Sequence, residues 1–181
     1  MKMSFKNFFQ YCYTVTLISA TLCLLSCGKR EAPTMKIFSA AFSDQASIPV
    51  KYTAQGESLS PPLRWQDAPE GTRSLALICE DPDAPGGTYD HWLLYNIPVS
   101  VGVLAEGLKD LPHGTQSLLN SAGTKDYTPP NPPSGTHRYF FILYALDTVI
   151  QLPDTATKAD LLKAMNGHIL AEATLVGRYK R

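Results

Sequence analysis

Short apolar runs alternate along the chain with polar, proline-rich breaks, and the runs have the length and period of strands more often than of helices. Residues 35–42 and 48–53 are short strand candidates. Pro61-Pro62 forces an extended segment, and Trp65 after it is placed to anchor that segment on the core. Leu75 to Cys79 is continuously apolar, as a strand covered on both faces would be. Trp92 to Ile97 is a second such run, ended by Pro98. Tyr139 to Ala145 is aromatic-rich and free of breakers, which predicts a central strand. Residues 115–135 contain Pro129, Pro130, Pro132 and Pro133, which supply no amide hydrogens to a ladder, so this stretch reads as a long loop. A loop of that length in a compact domain is often functional.

One helix is predicted. Thr157-Lys158-Ala159-Asp160 has capping-box spacing, Leu161, Leu162 and Met165 fall on one side, and Gly167 suits the residue after the last turn. From Ala171 to Lys180, Ala171, Ala173, Leu175, Gly177 and Tyr179 alternate with polar or exposed positions, the period of a half-exposed strand. Strands dominate and helices are few, so the chain is mainly β.

The first residues stand apart from this pattern. Lys2 and Lys6 precede an uncharged, mostly apolar stretch from Val15 to Leu25, about half the length of a membrane-spanning helix. That is the layout of a signal peptide. It runs into Leu24-Leu25-Ser26-Cys27-Gly28, which resembles a bacterial lipoprotein cleavage box. The expected organisation is a leader over 1–26, a lipidated (palmitate-bearing) Cys27 with a polar tether over 27–34, and one domain over 35–181. The expected location is the bacterial envelope, with the domain held at a membrane through Cys27; the sequence does not name the leaflet. A plain secretory signal or an uncleaved anchor, with Cys27 incidental, is the alternative. The mature chain of roughly 150 residues is long enough for one core.

Of the four cysteines, Cys12 and Cys23 lie in the leader and Cys27 is the lipid site. Cys79 then stands alone in an apolar run, as a small buried side chain, and the fold must hold without a disulfide. Sixteen basic and sixteen acidic residues give no net charge and no basic stripe, which argues against nucleic acid as a partner.

Polar residues gather where the apolar runs begin or end: Asp81-Pro82-Asp83-Ala84-Pro85, His91-Trp92 and His137-Arg138-Tyr139. Strands that end at the same level of a sheet bring such residues into one pocket. Asp81 and Asp83 share a face if their segment is extended, although Asp-Pro-Asp is also turn chemistry. A carboxylate on one ring nitrogen would orient an imidazole. Tyr139, two residues after His137, is placed to offer a phenolic donor on the same side. Arg138 should face the other way, in a structural ion pair; His113 reads as solvated and His168 as a helix-end residue.

These stretches carry a resemblance. Ser60-Pro-Pro-Leu-Arg-Trp65, Asp81-Pro-Asp-Ala-Pro85, His91-Trp-Leu-Leu-Tyr-Asn-Ile-Pro98, Pro132-Pro133, His137-Arg-Tyr139 and Gly167-His-Ile-Leu-Ala171, in this order, resemble the phosphatidylethanolamine-binding protein family, in its bacterial Raf-kinase-inhibitor-like branch. The resemblance implies a large antiparallel sheet packed on a smaller one with a few peripheral helices. It implies an anion pocket lined by Asp81, Asp83, Pro85, His91, His137 and Tyr139. Two rim stretches depart from the family pattern: Asn120-Ser121-Ala122-Gly123, where the branch usually has Asn-Asp-Phe-Gly, and Pro129-Pro130-Asn131-Pro132-Pro133, where it usually has Gly-Pro-Cys-Pro-Pro. The altered rim bears on ligand identity more than on ligand class.

The expected function is therefore binding of a small phosphorylated or carboxylate ligand, such as a phospholipid headgroup, with no cofactor and no catalysis. The aspartates would either hold the histidines or accept an amine such as an ethanolamine. The resemblance also implies, for some members, inhibition of a kinase or protease, but cytosolic kinases are poor candidates for an exported lipoprotein. Three alternatives stay open: a hydrolase using an Asp–His pair as general base, a zinc or manganese site on Asp81, Asp83, His91 and His137, and an interaction protein with a vestigial pocket. No Gly-x-Ser-x-Gly elbow supports the hydrolase. The sequence leaves a homodimer open and names no protein partner.

Overall fold

A computed structural model describes residues 34–181. The proposed leader, Cys27 and nearly all of the tether lie outside the described residues. Among the described residues, eight strands form two antiparallel sheets. The smaller has β1 (Lys36–Ser39), β2 (Leu63–Gln66) and β5 (Val103–Leu104), in the order β1-β2-β5. The larger has β3 (Ser74–Asp81), β4 (Tyr89–Ile97), β6 (Gln116–Ser117), β7 (Thr136–Leu146) and β8 (Ile169–Lys180), in the order β6-β4-β3-β7-β8. One α-helix, α1 (Lys158–Met165), lies among the described residues, the one that the capping-box spacing predicts.

The apolar run of β3 is explained by its place. Leu75, Leu77 and Cys79 face the small sheet, where they meet Leu63, Trp65, Trp92, Leu94, Phe141 and Leu143. Ala76 and Ile78 face the other way, onto Leu93, Tyr95, Ile150, Leu161 and Met165. A strand with two buried faces has no polar positions to show. Only Leu161 and Met165 of α1 are buried; Leu162 is exposed, so the apolar stripe of the helix is narrower than its sequence suggests. The capping box forms, with the Thr157 side chain accepting from the Asp160 amide and the Asp160 carboxylate accepting from the Thr157 amide.

Two expected strands differ. β1 stops at Ser39, and residues 48–53 form no strand but a short 3-10 turn, Val50–Tyr52. There Ile48 and Tyr52 are buried while Pro49 and Val50 are exposed, a spacing that suits a turn and defeats alternation. The preceding residues instead cover the open edge of β8. The Gln45 amide donates to the Val176 carbonyl (2.7 Å) and the Ile48 amide to the Arg178 carbonyl (2.7 Å), while the Arg178 amide donates to Ala46 (2.9 Å). Gly177 makes this close approach feasible, since a Cβ there would sit 2.5 Å from the Ile48 side chain and 2.9 Å from that of Phe42. The long loop 115–135 is irregular except for β6, a two-residue strand that pairs with β4.

Candidate functional site

β3 ends, and β4 and β7 begin, at one end of the large sheet. Register places Asp81 opposite Tyr89 on one side, and Glu80 opposite Phe140 on the other, so Asp81 lies level with Tyr139. His137 and Tyr139 alternate with exposed Arg138 along β7 and face inward.

His91 reaches the same space through a bulge. The pairing of β3 with β4 shifts between Cys79 and Glu80: Cys79 pairs with Trp92, but Glu80 pairs with Asp90, leaving His91 as the extra residue. Strict alternation would turn His91 toward the side of Leu93 and Tyr95. The bulge puts His91 and Trp92 on the same face.

The resulting cavity, about 370 Å³, is lined by Asp81, Pro85, Tyr89, His91, His137 and Tyr139, with Thr128 and the prolines that follow it closing one side. Five of the six candidate residues are thus brought together. Asp83 is not. β3 ends at Asp81, and the chain turns so that the Asp83 amide donates to Asp81 Oδ1 (2.8 Å). The Asp83 carboxylate then takes two bonds from the Arg138 guanidinium (2.9 and 2.7 Å) and one from the Arg138 amide (3.0 Å), away from the cavity. The shared face expected for Asp81 and Asp83 needs an extended segment, and the turn removes it. Beside that guanidinium, the Asp83 carboxyl is held down at about 2.

Both carboxylate oxygens of Asp81 are engaged. Its Oδ2 accepts from His137 Nδ1 at 2.7 Å, and its Oδ1 accepts from the Asp83 amide. His91 donates from Nδ1 to the Thr128 carbonyl at 2.6 Å, and the Thr128 amide returns a bond to the His91 carbonyl at 2.9 Å. Burial pushes the His91 imidazole below the usual histidine range. The two rings of His91 and Tyr139 meet edge to face at 5.2 Å. The Tyr139 hydroxyl is buried with no partner among the described residues, and burial raises its ionisation further above the usual tyrosine range. An unpartnered buried donor at a cavity wall is costly unless a ligand or water completes it.

Asn120 is a residue whose role the sequence did not disclose. It is buried, and its amide nitrogen lies within bonding distance of the His91 carbonyl (3.2 Å), the Asp126 carbonyl (2.7 Å) and the Thr128 hydroxyl (2.9 Å). Its Oδ1 accepts from the amides of Ala122 and Thr124. It therefore fixes the segment whose carbonyl orients His91. The only signal was an Asn-x-x-Gly turn pattern at 120–123. At the rim, the Ala54 amide donates to the Pro130 carbonyl (3.0 Å) and Gln55 Nε2 to Asn131 Oδ1 (2.8 Å), so the 3-10 turn region clasps the proline segment.

Asp83 is turned away from the cavity, and no group of three or more His, Cys, Asp or Glu among the described residues is arranged to hold an ion. Cys79 is a free, buried thiol, and burial pushes its ionisation well up.

A sheet sandwich with a polar pocket at one strand end defines a class of fold, and the comparisons agree on which. Residues 38–180 match the family model for phosphatidylethanolamine-binding proteins, and the chain belongs to that family. Relatives that it matches include archaeal and bacterial proteins. A UPF0098 protein of Methanothermobacter thermautotrophicus is 50% identical, over 81% of this chain and 99% of the relative. Among solved structures, a putative phosphatidylethanolamine-binding protein homologue from Chlamydia trachomatis is 44% identical, with a TM-score of 0.77 over 82% of this chain and 98% of that one. Escherichia coli YbcL, described as a new member of the mammalian family, is 28% identical, with a TM-score of 0.76 over 82% and 99%.

Proposed function

We propose that this protein binds a small oxyanion, a phosphorylated or carboxylate group, at the cavity between β3, β4 and β7, and that it acts by binding rather than turnover. The observation that carries the reading is the buried Tyr139 hydroxyl without a partner, beside two imidazoles each pre-oriented through Nδ1. Polar groups fixed in place before the ligand arrives lose little entropy on binding. Titration of the full chain, in detergent, with inorganic phosphate should give saturable heat that His137→Ala abolishes. Absence of saturable binding in the wild type would defeat the reading.

A second reading has one observation in its favour: the Asp81–His137 pair at 2.7 Å has the geometry of an oriented general base. No serine or cysteine lines the cavity, so such a reaction would have to activate water. Steady release of nitrophenol from p-nitrophenyl phosphate or p-nitrophenyl acetate, lost in His137→Ala, would favour hydrolysis over binding.

The domain is proposed to work at a bacterial membrane, exported and held through lipid on Cys27. Support comes from the charged start, the apolar stretch and the Leu-Leu-Ser-Cys box, together with a family match that begins only at residue 38. No helix among the described residues is long and apolar enough to cross a membrane. Phase partitioning should place the wild type with detergent and Cys27→Ala elsewhere or unprocessed.

A further inference from the structure

We infer that the cavity selects a phosphomonoester which retains one proton, over a phosphodiester or a carboxylate. This rests on the oxyanion-binding reading above and adds a rule for which oxyanion fits.

The rule follows from what holds the two imidazoles. His91 Nδ1 faces a carbonyl oxygen and His137 Nδ1 faces a carboxylate oxygen. Both partners only accept, so each Nδ1 carries the hydrogen. In a neutral imidazole so oriented, Nε2 is a bare acceptor. Neither Nε2 is bonded to the protein among the described residues. With both rings neutral, they therefore offer an anion two lone pairs and no donor.

The two rings are not equally able to change. A proton on His137 Nε2 creates an imidazolium whose other nitrogen already sits 2.7 Å from the Asp81 carboxylate. A proton on His91 creates a cation whose Nδ1 partner is an uncharged carbonyl, in a residue only 4% exposed. His137 thus becomes the donor while His91 remains an acceptor. The matching ligand gives one charged oxygen to His137 and one O–H to His91. A phosphomonoester monoanion has both. A phosphodiester has no O–H, and a carboxylate spends its charge on His137 with no hydrogen left for His91. The Tyr139 hydroxyl is left to donate to a remaining ligand oxygen.

The titratable groups that face the cavity are Asp81 from β3, Tyr89 and His91 from β4, and His137 and Tyr139 from β7; residues 128–133, Ala54, Ala84 and Pro85 contribute none. Asp83 is committed to Arg138, and Glu80 and Asp90 to Lys158 on the opposite face of the sheet. The proton count is therefore local. A phosphomonoester loses its second proton near pH 6, an approximate value. Well above that, binding places back one proton on the ligand oxygen facing His91, which the diester and the carboxylate do not take up. The affinity of the monoester then falls by roughly tenfold more per pH unit than theirs.

The experiment is calorimetry on the full chain in detergent with phenyl phosphate, methyl phenyl phosphate and benzoate, at pH 6.5 and between 7.5 and 8.5. Phenyl phosphate should bind at least about tenfold more tightly than the other two at pH 6.5, and between pH 7.5 and 8.5 its affinity should fall about tenfold more per pH unit than theirs. His91→Gln, whose amide can donate, should erase the preference by gaining affinity for the diester. Nitrogen-15 NMR of the wild-type complex should find His91 Nε2 bare and His137 Nε2 protonated, a readout independent of any variant. Equal affinities, the same pH slope for all three compounds, or a protonated His91 Nε2 would overturn the selection rule while leaving oxyanion binding intact. Failure of all three compounds to bind would overturn the oxyanion reading itself.

Discussion

The chain contains two carboxylate–imidazole pairs with one geometry and opposite surroundings. His137 Nδ1 meets Asp81 at 2.7 Å, and His168 Nδ1 meets Asp147 at 2.7 Å. The first pair is 8% and 5% exposed at its side chains, and the second 48% and 44%. The first borders a cavity and has its second carboxylate oxygen bonded as well; the second joins the ends of β7 and β8 beside the α1 terminus, in water. Distance alone therefore marks neither a site nor a strong interaction. Exposed pairs are worth about 0–1 kcal/mol, because water and salt screen them and ordering two side chains costs entropy. A buried pair is costly to break, by about 3–5 kcal/mol, because the surviving partner loses both water and its counter-group.

The largest contrast should come from cutting each pair in turn. Asp81→Asn should weaken phosphate binding by roughly 100-fold, since the neutral amide no longer stabilises an imidazolium on His137, and should lower stability by about 2–3 kcal/mol. Titration calorimetry and urea unfolding measure the two effects. Asp147→Asn should leave binding unchanged; a comparable loss there would erase the distinction between the pairs.

A half-buried triad behind the pocket gives the next effect. Lys158 Nζ, at the start of α1, bonds Glu80 and Asp90, which face each other across β3 and β4 beside the bulge that aims His91. Lys158→Met should cost about 2 kcal/mol in urea unfolding, because two carboxylates then oppose each other. Adding Glu80→Gln and Asp90→Asn should recover most of the loss. No recovery would show that the methylene packing of Lys158, and not its charge, is what matters.

Acid titration should separate a third pair. The folded Asp83 carboxyl sits at about 2, below the roughly 3.9 of an unfolded aspartate, so its contribution is full above pH 4 and is lost as pH falls from about 4 to 2. Asp83→Asn should flatten the stability profile in that window alone, by less than about 1 kcal/mol, because Arg138 is half exposed. The smallest effect is expected from His168→Ala, within about 0.5 kcal/mol and with unchanged binding.

Sequence periodicity carried much of the fold. The long aromatic run of β7, the two-sided burial of β3, the capping box of α1 and the alternation of β8, broken at buried Val176, follow from residue type and spacing. The polar ends of those runs also pointed to one pocket. What stayed hidden depended on single-residue irregularities. The bulge at His91 has no marker in the sequence, because neither glycine nor proline makes it. Asp83 looked like a partner of Asp81 until the turn after β3 took it outward. Residues 48–53 contain β-branched and aromatic types, but Pro49 and the burial of Ile48 and Tyr52 belong to a turn. Asn120 is polar and buried, a combination composition never predicts, and it works by tying its own loop to the His91 carbonyl 29 residues earlier.

The order of strands in the large sheet also sets a timetable. β3 lies between β4, its next neighbour in sequence, and β7, whose Phe141 pairs with Cys79 roughly sixty residues later. A β3–β4 hairpin can close early, but it brings only Asp81, Tyr89 and His91 together. His137 and Tyr139 arrive with β7, after the slow closure of a long loop. The pocket is then a late product of folding, and a chain captured before that step has a formed hairpin and no binding site. Phosphate added during refolding should act on the last stage alone, slowing unfolding without hastening the first collapse.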